Sequence, residues 1–250
     1  MQTIRQNLCS GVRVAIDCFN YLLWLPSCRV CGKEAAETDG VMCGKCRQKF
    51  STAIADDYCP YCGVAASKYA IINGKCANCE QMELVFDGIT RIGRYTDVLR
   101  DLILQIKHTE EPKIIGLLSD CLLAAVKGNL PVEHIDFFAP VPLHWRRKLY
   151  RGYNQSALLL SAFKKDGLAT ANLLRRNRYT LPQPGLSFAQ KQKNIKGAFD
   201  CKNLNKIRGK TICLVDDIKT TGATLGECSR VLKKAGAKKV YAAVVAVAGD

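Results

Sequence analysis

Two adjacent carboxylates, Asp216 and Asp217, stand between an apolar run, Ile212-Cys213-Leu214-Val215, and a short turn, Thr220-Thr221-Gly222-Ala223-Thr224. The run has the length and composition of a strand buried on both faces. A Gly- and Thr-rich turn that opens a helix aims several backbone N–H groups and hydroxyls at one point, where the positive end of the helix dipole favours an anion. Thr220, Thr221, Gly222, Ala223 and Thr224 therefore suit a phosphate. A carboxylate repels phosphate but accepts hydrogen bonds from sugar hydroxyls, as the ribose-binding acid of dinucleotide folds does, so Asp216 and Asp217 point to a ribose. Packing alone gives no reason for paired acids at a strand end. No GxxxxGK[ST] pattern occurs, which sets aside a nucleoside triphosphatase of that type.

A second set of ligating residues lies upstream, as four C-x-x-C pairs: Cys28/Cys31, Cys43/Cys46, Cys59/Cys62 and Cys76/Cys79. Each pair can grip a tetrahedral ion from one tight knuckle, so eight thiolates make two closed structural zinc sites. Glycine directly after Cys31, Cys43 and Cys62 lets backbone N–H groups turn toward the sulfurs. Pairing neighbouring knuckles closes the shorter loops and is the expected arrangement; the spacing also permits a cross-brace. Iron–sulfur ligation is disfavoured because no C-x-x-C-x-x-C run occurs. Cys9, Cys18, Cys121, Cys201, Cys213 and Cys228 lack ligand spacing and read as small buried thiols. Cysteines at metal spacing rather than in a disulfide framework point to a reducing cytosol.

The elements that must position these groups follow from periodicity. At 250 residues the chain suits one medium core plus a small module. From Phe86 onward strand and helix alternate: an edge strand at 89–95, a helix over 96–107 with Val98, Leu99, Leu102, Ile103 and Ile106 on one face, and a further helix opened by Pro112. A strand at 135–142, helices over 153–165 and 224–234, and a buried strand at 238–247 complete the pattern. Such alternation implies an α/β domain with a largely parallel sheet over 86–250, preceded by a zinc-ribbon module over 27–85. Within 1–26, Ile4, Leu8, Val12, Ile16, Phe19 and Leu23 recur at helical spacing, giving an amphipathic docking helix. Arg13 and Asp17 interrupt any signal-peptide core, and no apolar run reaches transmembrane length.

Charge is unevenly placed. Residues 1–87 carry nine basic and nine acidic side chains, so the whole net charge of +15 lies in 88–250. Residues 145–210 hold sixteen Lys or Arg against Asp166 and Asp200 alone, a band that asks for a polyanionic partner. In APVPLHWRRKLYRGYNQS (139–156), read as a loop beyond the strand at 135–142, Arg146, Arg147, Lys148 and Arg151 can grip a pyrophosphate or a nucleic-acid backbone. Trp145, Tyr150, Tyr153 and Phe188 are interleaved aromatics on which bases can stack, and Tyr153 can equally belong to the core. In LPQPGLSFAQKQKNIKGAF (181–199), Pro182, Pro184 and Gly185 precede Lys191, Lys193 and Lys196; the segment reads as a basic lid or as a surface hairpin and helix.

The stretch VDDIKTTGAT closely resembles the PRPP-binding motif of type I phosphoribosyltransferases. With the four knuckles, RYTDVLRDLILQIKH, PVPLHWRRKLYRGYNQS and LPQPGLSFAQKQKNIKGAF, the whole chain resembles the competence protein ComF family, phosphoribosyltransferase-like proteins with an N-terminal double zinc ribbon. The resemblance implies a type I phosphoribosyltransferase-like fold, a mainly parallel sheet flanked by helices. It implies PRPP bound with magnesium: Thr220 to Thr224 on the 5-phosphate, Asp216 and Asp217 on the ribose and as the catalytic pair of any transfer, Pro142 and Leu143 with nearby arginines on the pyrophosphate. It further implies a bacterial cytoplasmic protein that serves DNA uptake in natural transformation beside other uptake proteins and binds single-stranded DNA; for the N-terminal helix, peripheral contact with the inner membrane is the lesser alternative to docking. The alternatives are an active phosphoribosyltransferase of nucleotide salvage and a zinc-module adaptor without transfer activity. Family members commonly place tyrosine or phenylalanine after the lysine matching Lys107, where this chain has His108; Trp145 and Lys191 stand at positions often arginine.

Overall fold

The computed structural model describes residues 27–36, 40–81, 84–180 and 188–248. The amphipathic helix expected over 1–26, and Pro182, Pro184 and Gly185, lie outside the described residues. The chain divides into two compact units, Met1–Lys49 and Phe50–Asp250.

In the first unit, the Cys28 knuckle closes where the Gly32 N–H donates to the Cys28 carbonyl at 2.9 Å, with Gly32 at φ +69°. Only glycine adopts that left-handed conformation without steric cost. Helix α1 (Gly44–Ile54) starts directly after Cys43 and brings Cys46 round on its first turn. Gly44 thus opens a helix, whereas the glycines after Cys31 and Cys62 have the positive φ of a knuckle turn.

The second unit is built on a four-stranded parallel sheet of order β1-β6-β5-β2, comprising β1 (Gly88–Arg94), β2 (Phe137–Pro140), β5 (Thr211–Lys219) and β6 (Lys239–Val247). The central strands are the most apolar: Ile212 to Val215 of β5 and Val240 with Ala242 to Ala246 of β6 have no measurable exposure. Parallel strands covered on both faces need that continuous apolar character. Helices α2 (Asp97–His108) and α3 (Pro112–Asn129) follow β1, each burying one stripe at helical spacing, and α3 packs on β1 and β6. The glycine at 93 is dictated by close approach, since a Cβ there would lie 2.4 Å from the Ala53 carbonyl oxygen of α1.

Two local expectations need correction. The segment 139–156 is not all loop: α4 (Trp145–Arg151) forms within it, capped by the His144 imidazole, which accepts from the Arg146 N–H at 3.3 Å. The helix expected over 153–165 comes in two pieces, α5 (Gln155–Leu158) and α6 (Ser161–Lys165). At the break the buried Ser119 hydroxyl of α3 donates to the Leu159 carbonyl at 2.7 Å and accepts from the Ala162 N–H at 2.9 Å. A hydroxyl from a neighbouring helix thus satisfies backbone groups that a continuous helix would have paired internally.

Beyond α6, β3 (Leu174–Arg176) and β4 (Phe199–Cys201) pair antiparallel, with α7 (Phe188–Ile195) between them in sequence. Of the second basic stretch, the described part is α7 followed by the start of β4, which both readings of that stretch allow. Helix α8 (Ala223–Lys234) follows β5 and packs on β4, β5, β6 and α7. Its buried Leu225, Cys228 and Leu232 share a core with Ile212, Leu214, Val240, Ala242 and Val244, and with all four cysteines of the second tetrad.

Candidate functional site

Strand β5 ends in the acid pair, the chain turns over Thr220 to Gly222, and α8 begins at Ala223. Gly222 caps the helix at φ +81°, and the Thr221 hydroxyl accepts from the Ala223 N–H at 3.4 Å. A helix start of this kind, with a glycine cap and a hydroxyl-rich first turn, suits an anion. Thr220, Thr221, Ala223 and Thr224 are half-buried around it.

Asp216 and Asp217 are 8 % and 4 % exposed. Asp216 Oδ1 accepts from the Ser156 hydroxyl at 2.8 Å and from the Asp217 N–H at 3.0 Å. Asp217 Oδ2 accepts from Gln155 Nε2 at 3.3 Å and pairs with Lys107 Nζ at 3.0 Å, while its Oδ1 accepts from the Ile218 N–H at 2.8 Å. Burial and the neighbouring charge of Asp217 push the Asp216 carboxyl up to about 8. A carboxyl so destabilised as an anion is prepared for hydroxyl donors or a cation. Asp216 Oδ2 takes no hydrogen bond from the described residues, which leaves it open to a sugar hydroxyl or to magnesium, a hard cation that favours such oxygens.

Parallel pairing puts the 141–144 loop beside the acids: Pro140 lies opposite Val215, and the Val141 N–H donates to the Val215 carbonyl at 2.9 Å. Asn154 ties the same loop to α5 by donating to the Val141 carbonyl at 3.0 Å. Pro142 and Leu143 are half-buried there.

The four basic residues of α4 do not act as one cluster. Arg151 donates to Gln155 Oε1 at 3.2 Å, and through Gln155 it joins the network around Asp217. Arg147 donates to the Thr180 carbonyl at 3.2 Å, Arg146 lies over the rings of Trp145 and Tyr179, and Lys148 is exposed. Trp145, Leu149 and Tyr150 are exposed along α4, Tyr150 at 90 %. Tyr153 is half-buried and carries a hydroxyl with no partner among the described residues, so it is not an open stacking face. Lys191 and Lys193 fall on α7 and Lys196 just beyond it; Lys193 and Lys196 are exposed. Lys196 alone of these lines the hollow beside the phosphate turn, with Leu84, Ile195, Thr221, Gly222 and Arg230.

Four residues of the site escape the sequence reading. Lys107, Gln155 and Ser156 hold the acids, and their separation from Asp216 and Asp217 in sequence hides them. The fourth, Arg176, is half-buried, donates to the Thr180 hydroxyl and feels the charge of Asp216. Burial, then the Arg147 charge, lowers its guanidinium to about 10, so it stays charged at neutral pH.

The cysteines form two tetrads from sequence neighbours, Cys28/Cys31/Cys43/Cys46 and Cys59/Cys62/Cys76/Cys79, with all sulfurs of a tetrad within 4.8 Å of one another. The sulfurs are 3.9 Å apart for Cys31–Cys43, 3.5 Å for Cys59–Cys79 and 3.6 Å for Cys62–Cys76. Tetrahedral zinc with Zn–S near 2.3 Å places its sulfurs about 3.8 Å apart, so both tetrads fit the ion. Within the second tetrad burial acts to raise every thiol, and the backbone N–H groups of Cys62 and Tyr61 pull Cys59 down while Cys62 and Cys79 are pushed up.

Family comparison agrees with both halves of this geometry. Residues 20–81 match the double zinc ribbon domain and residues 167–250 the phosphoribosyl transferase domain. Competence protein F of Haemophilus influenzae is 31 % identical over 205 residues, covering 80 % of this chain and 87 % of that protein. The chain belongs to the competence protein F family. Other relatives include the DNA utilization protein YhgH of Salmonella typhi, 30 % identical over 220 residues (85 % of this chain, 93 % of that one). Competence protein ComFC of Bacillus subtilis is 28 % identical over 207 residues (79 % and 80 %). As a family member the chain combines a phosphoribosyltransferase domain with two zinc-ribbon tetrads, and no helix among its described residues is long and apolar enough to cross a membrane.

Proposed function

We propose that this protein binds PRPP with magnesium at the β5–α8 turn and single-stranded DNA on its basic band, as a cytoplasmic component of DNA uptake. The carrying observation is the buried acid pair, fixed by Ser156, Gln155 and Lys107 directly before a Gly-capped helix start. Asp216 and Asp217 would accept the ribose hydroxyls, the turn would take the 5-phosphate, and Pro142 and Leu143 with Arg151 would face the pyrophosphate. Magnesium, when present, would neutralise pyrophosphate charge beside the acids. The reading is of binding before catalysis, because the groups touching the acids are occupied in holding them. The DNA-handling part draws support from relatives named for competence and DNA utilization, and from exposed aromatics interleaved with arginine on α4.

Calorimetric titration of magnesium-PRPP into the zinc-loaded protein tests the assignment. The wild type is expected to bind, and Asp216→Asn/Asp217→Asn to lose measurable affinity. Unchanged affinity in the double variant would refute the role of the acids.

A further inference from the structure

Lys219, the last residue of β5, is 1 % exposed, and its Nζ has no hydrogen-bond partner among the described residues. An ammonium held there without an anion is among the costliest arrangements a fold can contain. A second buried cation, Arg91, lies close enough to repel it. The second tetrad lies beside it: a Cβ at Gly63, next to Cys62, would meet Val247 at 3.1 Å, and Val247 is the residue of β6 paired with Lys219, so the thiolates of Cys62, Cys79 and Cys59 act on its charge. Four zinc-bound thiolates carry a net charge of about −2, which a buried ammonium beside them would offset in part.

The same side chain underlies the phosphate turn. A Cβ at Gly222 would lie 3.2 Å from Lys219 Cε and 3.4 Å from Leu84 Cδ2, so the turn rests on both. Leu84 is in turn fixed from the knuckle, because the Tyr61 hydroxyl donates to its carbonyl at 3.2 Å. The knuckle is fixed to the sheet: the Pro60 carbonyl accepts from the Ile89 N–H at 2.8 Å, and a Cβ at Gly63 would meet Ile89 and Val247 at 3.1 Å.

We propose that Lys219 is the buried counter-cation of the metal site formed by Cys59, Cys62, Cys76 and Cys79, and that through its stem this site holds the phosphate turn in shape. Zinc there is then a support of the ligand-binding loop as well as of its own ribbon. Lys219 is thereby assigned a positioning role beneath the turn.

The test is chelator-driven zinc release, followed with a chromogenic chelator on the full-length, zinc-loaded protein and its Lys219→Met and Lys219→Arg variants. In Lys219→Met, one of the two zinc equivalents should leave about tenfold faster or more, the usual scale for losing a group that supports metal ligands, while the other keeps its wild-type rate. Lys219→Arg, which keeps the charge, should lie close to wild type. Hydrogen exchange on the same samples should show residues 220–224 losing protection together with residues 59–79, with α3 unaffected. The wild type carries this second readout by itself, so it applies even where Lys219→Met does not fold. Wild-type release of both equivalents from folded Lys219→Met, equal acceleration of both, or zinc loss at residues 59–79 with the turn still protected would each overturn the proposal. None of these readouts depends on PRPP, so the proposal can fail while the PRPP assignment stands.

Discussion

Asp216 shows how a residue can be legible in type and hidden in energetics. The order apolar run, acid pair, Thr-Gly turn is a sequence-local signal, and the acids sit where it places them, at the end of β5. What holds them is not local: Ser156 and Gln155 reach them across 60 and 62 residues of sequence, and no periodicity marks such partners. The consequence is measurable as a pH dependence. The carboxyl rises from its ordinary 3.8 to about 8, first through burial and then through Asp217, so the folded protein keeps a proton that the unfolded chain releases. The associated stability is fully present below 3.8 and is lost as pH rises through about 8. Asp216→Asn removes that loss. In thermal unfolding without ligand, the variant should be more stable than wild type by about 1–3 kcal/mol near the upper value, with the difference vanishing in acid. A pH-independent difference would contradict the assignment.

At the level of elements, periodicity located most of the sheet and its flanking helices because those stripes are apolar and long; β1, α2, α3, α8 and β6 fall close to their expected ranges. It failed where tertiary groups decide. The run Trp145 to Arg151 has no apolar stripe, so α4 is invisible to periodicity and owes its start to the His144 cap. The stretch 153–165 contains no proline, and its single break comes from Ser119 on another helix. Removing that hydroxyl leaves the Ala162 N–H buried without its acceptor. Ser119→Ala should therefore cost about 1–3 kcal/mol in urea denaturation, far more than a surface Ser→Ala change. A cost within about 0.5 kcal/mol would show that the α5–α6 break is intrinsic to its own sequence.

For the molecule as a whole, composition announced a basic band and two metal sites but not their context. The four knuckles look alike in sequence, yet the second tetrad shares a compact unit and a continuous core with the sheet. That core is assembled from residues far apart in the chain, which spacing cannot show. The band is likewise a property of the surface: some of its cations are spent internally, Arg147 on Thr180, Arg178 on the carbonyls of Asn194 and Lys196, and Lys210 on Asp136. The exposed remainder on α4 makes a quantitative prediction. If Arg146 and Lys148 meet two phosphates of a single strand, their joint replacement by alanine should lower the log–log salt slope of DNA binding by about 1.4. An unchanged slope would place the DNA elsewhere on the band.

Whether β5 and α8 together form a PRPP site can be read by phosphorus NMR of magnesium-PRPP titrated with zinc-loaded protein, since the ligand reports its two ends separately. The 5-phosphate and both pyrophosphate resonances should shift or broaden with the wild type, and all three should stay at their free positions with Asp216→Asn/Asp217→Asn. Free-ligand spectra throughout the wild-type titration would contradict the site assignment.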